Sequence, residues 1–295
     1  MNTLSAIAND ILLDVLNNRT LSSPPSFESL VSEMLDIPEK PKDYVLRFQE
    51  KPKDRIVLVT GGLDSSFGWF ITPEPKRAVY FDIGQKYRDK ELNALRQMQI
   101  PFEYYRLADI SNIDVGDWKH IHPGRNFLYI SKAAELLKSS GEIIVCSTLG
   151  EMPISGGDKS HRFFEMAEGL INQYTPYPIK IILATSNYTK PDEVKYWYDN
   201  FDKSLLPNVV SCFSDGLSLC GSCQSCLRRY LAFAYNNLDM SYQYKVHPMI
   251  GGSEFVQKYK TLMTLALQNC DFQKYHKTRC IQDLEAIRIA EDWLR

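Results

Sequence analysis

Two stretches carry residue types whose spacing could do chemistry. The first is RIVLVTGGLDSSFGW, Arg55 to Trp69, where an apolar run of strand length enters two glycines, an acid and two hydroxyls. Glycines let a backbone approach an anion closely and adopt positive φ. Successive amides at a strand end and helix start form a concave set of donors for a phosphate. The hydroxyls of Thr60, Ser65 and Ser66 add donors of the right length. Asp64 would repel a bare anion, so it either N-caps the following helix or shares a divalent cation with the phosphate. The second stretch is SCFSDGLSLCGSCQSC, which places Cys212, Cys220, Cys223 and Cys226 with seven, two and two residues between them. Two-residue spacings let sulfurs converge on one tetrahedral ion, and Gly221 allows the tight turn. Four thiolates would close the shell of a structural zinc ion. An iron–sulfur cluster takes the same four ligands, and a redox pair is a third reading.

The elements that must hold these groups follow from the hydrophobic pattern. Strand-like apolar runs occur at Ile56–Val59, Ala78–Phe81, Phe102–Leu107, Ile143–Cys146 and Ile179–Leu183. Helical patterns lie between them, around Lys90–Gln97, Leu128–Leu137, Phe163–Ile171 and Glu193–Phe201. Strand and helix alternate with little polar alternation inside the strands. This predicts an α/β fold, a doubly wound parallel five-stranded sheet covered on both faces. Ligands of such sheets bind at the carboxyl ends of the strands, and Thr60 to Ser66 sits at one. The organisation reads as four parts: a helical N-terminal appendage over 1–50, a nucleotide-binding domain over 51–208, a cysteine knuckle and helix over 209–236, and a helical extension over 237–295. Pro73 and Pro75 predict a short helix after the glycine loop.

Composition bounds the function. The chain has 295 residues, 44% hydrophobic and 24% charged, enough for an ordinary globular core. A formal net charge of −2 gives no global field for nucleic acid, so any polyanion site must be local. No apolar run reaches the ~20 residues that span a bilayer. The N-terminus, MNTLSAIANDILLDVL, has acids inside its apolar pattern and reads as an amphipathic helix rather than a signal peptide. Seven cysteines without such a signal suggest reduced thiols and a cytoplasmic location.

TGGLDSS, Thr60 to Ser66, resembles the SGGxDS[ST] loop of the PP-loop ATP pyrophosphatases, with Thr60 replacing the usual serine. No Gly-Lys-Ser/Thr follows, so it is not a Walker A loop. YFDIGQKYRDKE (Tyr80–Glu91), IHPGRN (Ile121–Asn126) and the cysteine cluster follow in the order seen in the 7-cyano-7-deazaguanine synthase group, QueC or ExsB. The resemblance spans roughly residues 55 to 235. It implies an adenine nucleotide alpha-hydrolase-like fold, ATP and Mg2+ at the loop, and zinc on Cys212, Cys220, Cys223 and Cys226. Thr60, Gly61, Gly62, Leu63, Asp64, Ser65 and Ser66 would hold the nucleotide's phosphates. Phe81, Asp82, Gly84 and Gln85 would border its adenosine. Arg125 and Asn126 match the PGRN block and would meet substrate. Arg125 offers a planar fork for phosphate or carboxylate, and Asn126 can cap the next helix. TKPD, Thr189 to Asp192, resembles the family's Lys-containing segment, with Lys190 as a point charge for phosphates. Asp64, Ser65, Arg125 and Lys190 are thus the candidate catalytic residues.

The match fails on the substrate side. Where the family carries a DYSGYPDC-like loop, this chain has EMPISGGDKSHRFFE; Ser155, Gly156 and Asp158 survive as substrate-binding candidates. The family reaction would adenylate 7-carboxy-7-deazaguanine, form an amide with ammonia, and dehydrate it to a nitrile after a second adenylation. A divergent member could stop at the amide, or join the deazapurine to a protein amine, as QueC-like proteins of antiviral defence operons are thought to do. An RNA-modifying PP-loop enzyme and a non-catalytic nucleotide-binding module are the other readings. HKTR and LRR read as solvated faces rather than as an RNA surface. Of the histidines, His120 and His122 flank the PGRN block as acid–base candidates. His161 sits near the altered loop, and His247 and His276 read as structural or exposed. Cys146 reads as core, and Cys270 and Cys280 take no role. The resemblance favours a homodimer, for which the helical tail could supply an interface, and an operon-encoded protein partner is the alternative.

Overall fold

The computed structural model describes residues 54–107, 124–149, 158–269 and 274–293. The appendage expected over 1–50 lies outside them. Five strands form one parallel sheet: β1 (Asp54–Leu58), β2 (Arg77–Asp82), β3 (Phe102–Arg106), β4 (Gly141–Val145) and β5 (Ile179–Leu183). Their order is β3-β2-β1-β4-β5. The helices of this part are α1 (Leu63–Ile71), α2 (Arg88–Gln97), α3 (Arg125–Leu136), α4 (His161–Tyr174) and α5 (Lys190–Asn200).

Alternate strand residues feed two separate cores, as the two-residue period of a strand requires. Val57, Ala78, Tyr80, Ile144 and Ile182 join Leu63, Phe67, Leu95 and Trp197 on one face. Ile56, Val79, Phe81, Ile143 and Ile181 join Ile130, Phe164 and Ile171 on the other. Helices α1, α2 and α5 therefore cover one face and α3 and α4 the other, the doubly wound arrangement. Charges gather at the amino ends of the strands. Arg55 and Glu142 form a buried ion pair of 2.7 Å, and Arg77 bridges Asp54 and Glu103. The carboxyl ends are left to the glycine loop. Helix α1 has nine residues, short as Pro73 and Pro75 predict.

Beyond α5 come α6 (Gln224–Tyr235), the single turn α7 (Pro248–Gly251), α8 (Ser253–Asn269) and α9 (Lys274–Trp293). Cys226, Leu227, Tyr230 and Leu231 of α6 share a third core with Val256, Met263, Ala286, Ile287 and Ala290. The tail packs on its own chain through this core. One expectation is corrected: Arg229 of LRR is not solvated. It is fully buried beneath α6 and donates to the carbonyls of Val209 and Pro207 at 3.0 Å and to the Tyr244 hydroxyl at 2.8 Å. His247 caps α7, accepting from Met249 N at 3.2 Å, and packs edge-on against Tyr230. Among the described residues no helix is long and apolar enough to cross a membrane.

Candidate active site

The strand order reverses between β1 and β4, so a crevice opens beyond their carboxyl ends. The loop from Thr60 to Gly62 leaves β1 at this point and runs into α1. Gly61 holds φ +73°, and a Cβ there would lie 2.7 Å from the Glu91 carbonyl oxygen. Both the backbone conformation and the close approach of α2 require glycine. Gly61→Ala is expected to cost at least about 2 kcal/mol of stability. Thermal denaturation and faster amide exchange over residues 60–66 would report it; an unchanged melting curve would contradict this account of the loop.

The N-cap of α1 is Gly62, and no side chain caps the helix. The capping alternative for Asp64 is thereby excluded. Asp64 stands inside the first turn, and its carboxylate accepts from Lys190 Nζ, at the start of α5. Ser65 Oγ accepts from Thr60 N at 3.0 Å and meets Thr60 Oγ1 at 3.1 Å, so the two hydroxyls brace the loop from within. The Ser66 hydroxyl is buried with no hydrogen-bond partner among the described residues. Leu63 anchors the loop in the core. Lys190 is itself fixed by a capping box, in which Thr189 and Asp192 bond each other's backbone amides.

The segment after β2 forms a second wall. Asp82 is fully buried; it accepts from Gly84 N at 2.7 Å and from the Tyr104 hydroxyl. Gly84, at φ +85°, makes the turn that this bond closes. Gln85 accepts from Ile83 N at 2.9 Å and donates to the Tyr80 hydroxyl at 2.6 Å and to Glu91 at 3.2 Å. Phe81 points to the other face of the sheet and stacks on Tyr129 at 5.8 Å. The polar side chains of this segment thus bond one another and hold the shape of the wall.

Glu91 is a member of this wall that sequence reasoning missed, although it closes the quoted segment. Burial pushes its carboxyl up to about 7, against the hydrogen bonds from Tyr80 and Gln85 and the pull of Arg125. An unfolded glutamate titrates near ~4.3. Between these values the folded chain holds a proton that the unfolded chain has lost. Stability from this group is therefore present at low pH and falls as pH rises from ~4.5 towards ~7. Glu91→Gln is expected to flatten that slope in melting curves taken from pH 5 to 8; parallel slopes in both proteins would contradict it.

Helix α3 brings the third group. Its N-cap is Gly124 at φ +74°, so Asn126 is not the cap expected. Asn126 instead donates to the Asp158 carbonyl at 2.9 Å and ties the start of α3 to the residues before α4. Arg125 donates to the Tyr87 hydroxyl at 3.1 Å, with Glu91, Tyr129 and Asp158 in electrostatic reach. Ser155, Gly156, His120, His122 and Cys270 lie outside the described residues, and nothing is described of the His276 side chain. His161 opens α4 and is half-buried. Burial pushes the Cys146 thiol well up, as a core thiol requires.

The four cysteines converge. The sulfurs of Cys212, Cys220, Cys223 and Cys226 lie within 4.8 Å of one another, with Cys220 and Cys226 at 3.8 Å. A tetrahedron with zinc–sulfur bonds of ~2.3 Å has edges of about 3.8 Å, so the donor set fits zinc. The amides of Cys220 and Cys226 point at the sulfurs of Cys212 and Cys223, each at 3.4 Å. Gly221 holds φ +77° at the turn between the ligands. The segment leading into and through this cluster touches the loop and the second wall. Val210 N donates to the Gly61 carbonyl at 2.9 Å, Phe213 packs on Tyr87, and buried Lys90 donates to the Ser214 carbonyl at 3.0 Å.

A parallel sheet reversing at β1 and β4, with a glycine-rich bend there braced by Thr60 and Ser65, defines a doubly wound α/β protein. The family model described as "Queuosine biosynthesis protein QueC" matches residues 114–237, which include Arg125 and all four clustered cysteines. A 7-cyano-7-deazaguanine synthase of Acetivibrio thermocellus is 27% identical over 209 residues, 60% of this chain and 91% of the relative. That of Bdellovibrio bacteriovorus is 24% identical over 66% of this chain and 99% of the relative. That of Methanobrevibacter smithii is 27% identical over 61% of this chain and 93% of the relative. Over the shared residues the chain is similar to the QueC family, at 24–27% identity to these relatives.

Proposed function

We propose that this chain is an ATP-dependent ligase that adenylates the carboxylate of a 7-deazapurine resembling 7-carboxy-7-deazaguanine. The observation that carries the reading is the loop itself: a bend at Gly61, an α1 start without a side-chain cap, and the Asp64–Lys190 pair across its mouth. The names of the matched synthases supply the substrate class.

In this reading a substrate carboxylate oxygen attacks the α-phosphorus of ATP, and the bond to the β-phosphate oxygen breaks. The amides of Gly62 to Ser65 and Lys190 bear the charge of the departing pyrophosphate. An amine then attacks the acyl carbon; AMP leaves and an amide forms. With ammonia as the amine, a second adenylation of the amide oxygen and loss of AMP would give the nitrile. Magnesium would be held beside the Asp64 carboxylate and would spread the phosphate charge. Arg125 and Asn126, at the start of α3, would orient the substrate. The Asp82–Gln85 segment would shape the adenosine pocket through its backbone. Zinc on the four cysteines would be structural, because four sulfurs leave no position for water.

Mass spectrometry of products from purified protein with 7-carboxy-7-deazaguanine, ATP, magnesium and ammonia tests this directly. AMP with an amide or nitrile supports the reading. A mass shift on a protein selects the conjugating branch. If no pyrophosphate is released with any carboxydeazapurine, while ATP still binds tightly, the non-catalytic reading replaces it.

A further inference from the structure

We propose that the C-terminal helix α9 supplies Arg279 to an anion subsite, shared with Lys190 and Arg228, that takes the outer phosphates of the nucleotide and the pyrophosphate they become. The proposal deepens the nucleotide reading and rests on it.

A small cleft, with enclosed room for about one water before it opens to solvent, is lined among others by Thr148, Lys190, Arg228, Arg279 and Asp283. Its cations come from three elements: Lys190 from α5, Arg228 from α6 and Arg279 from α9. Lys190 is the same residue that reaches Asp64 at the loop, so the cleft and the loop share a wall. Asp283 is the carboxylate inside the cleft, 3.7 Å from Arg279 one turn earlier on α9. Burial pushes its carboxyl up, and Arg279, Arg228 and Lys190 all pull against that. Three cations thus converge on one internal acid, with Asp64 at the edge. The excess of positive charge, and the planar forks of two arginines, suit phosphate oxygens.

The register of α9 is set at this joint. Gln282 donates to Asp192 Oδ1 at 2.9 Å and accepts from the Thr189 hydroxyl, and is itself buried. Both partners belong to the capping box that starts α5. Gln282 therefore locks α9 to the turn that carries Lys190, and Arg279 and Asp283 lie on the same helical face, three residues before it and one after. Helix α9 lies outside residues 114–237, which the family model matches. The subsite would be a feature this chain adds to the shared part.

Equilibrium binding of inorganic pyrophosphate and of AMP to the full chain, with magnesium, tests the proposal. Arg279→Gln is expected to weaken pyrophosphate by about tenfold or more, the loss of one charged hydrogen bond, and to leave AMP within about twofold. Arg279→Lys should fall between. Asp283→Asn should tighten pyrophosphate, because it removes the competing acid. Should Arg279→Gln fail to fold, Arg228→Gln carries its expectation of weakening, and Asp283→Asn keeps the opposite one. Unchanged pyrophosphate affinity in these variants, with the wild type binding normally, overturns the subsite alone. A wild type that binds neither AMP nor pyrophosphate overturns the nucleotide reading as well.

Discussion

Asp64→Asn is expected to lower pyrophosphate release by about a hundred- to thousandfold, the cost of removing one preorganised electrostatic group from a reacting centre. The fold should survive. The N-cap of α1 is Gly62 rather than Asp64, so no capping bond is lost. The pair with Lys190 is mostly buried, and its loss should cost about 1–3 kcal/mol. The signature is therefore a collapse in turnover with a melting temperature lowered by only a few degrees. Alanine at the same place should behave alike in turnover, since the carboxylate charge rather than the shape is at stake. Pyrophosphate release by Asp64→Asn within a factor of about three of wild type would remove Asp64 from the chemistry.

The second large effect concerns the metal. Cys226→Ser is expected to abolish stoichiometric zinc and to destabilise the chain by several kcal/mol, because ligand loss undoes a site that couples binding to folding. Cys226 is fully buried in the core that joins α6 to α8 and α9. The whole C-terminal part should therefore loosen, and proteolysis should begin there. Elemental analysis of the purified wild type should give one zinc per chain. Visible absorbance with iron in place of zinc would select the cluster alternative. Protein that carries no metal and melts unchanged in a strong chelator would refute the assignment.

Much of this architecture is legible in the residues, and the legible parts share a cause. The strands are short apolar runs bounded by turns, and their buried faces leave no polar alternation to confuse the period. Each expected strand meets its observed one within two residues. The cysteines are legible because ligand spacing is local. Other features depend on distant partners. Asp64 reads equally as a cap or as a charge until Lys190, 126 positions later, is found beside it. Arg229 reads as solvated because a helix sequence does not tell which carbonyls lie beneath it. Glu91 looks like an ordinary helix acid, and only the fold brings Tyr80 and Gln85 onto it. The tail reads as helix, yet no local pattern ties Gln282 to the turn at Thr189.

The bond from Val210 to the Gly61 carbonyl joins the segment before Cys212 to the bend that follows β1. Two events at separate places then lean on one short span of backbone. Thermodynamic reciprocity makes each a reporter of the other. Saturating nucleotide should slow the escape of the ion to a competing chelator. By the same factor, the stripped protein should hold nucleotide more weakly.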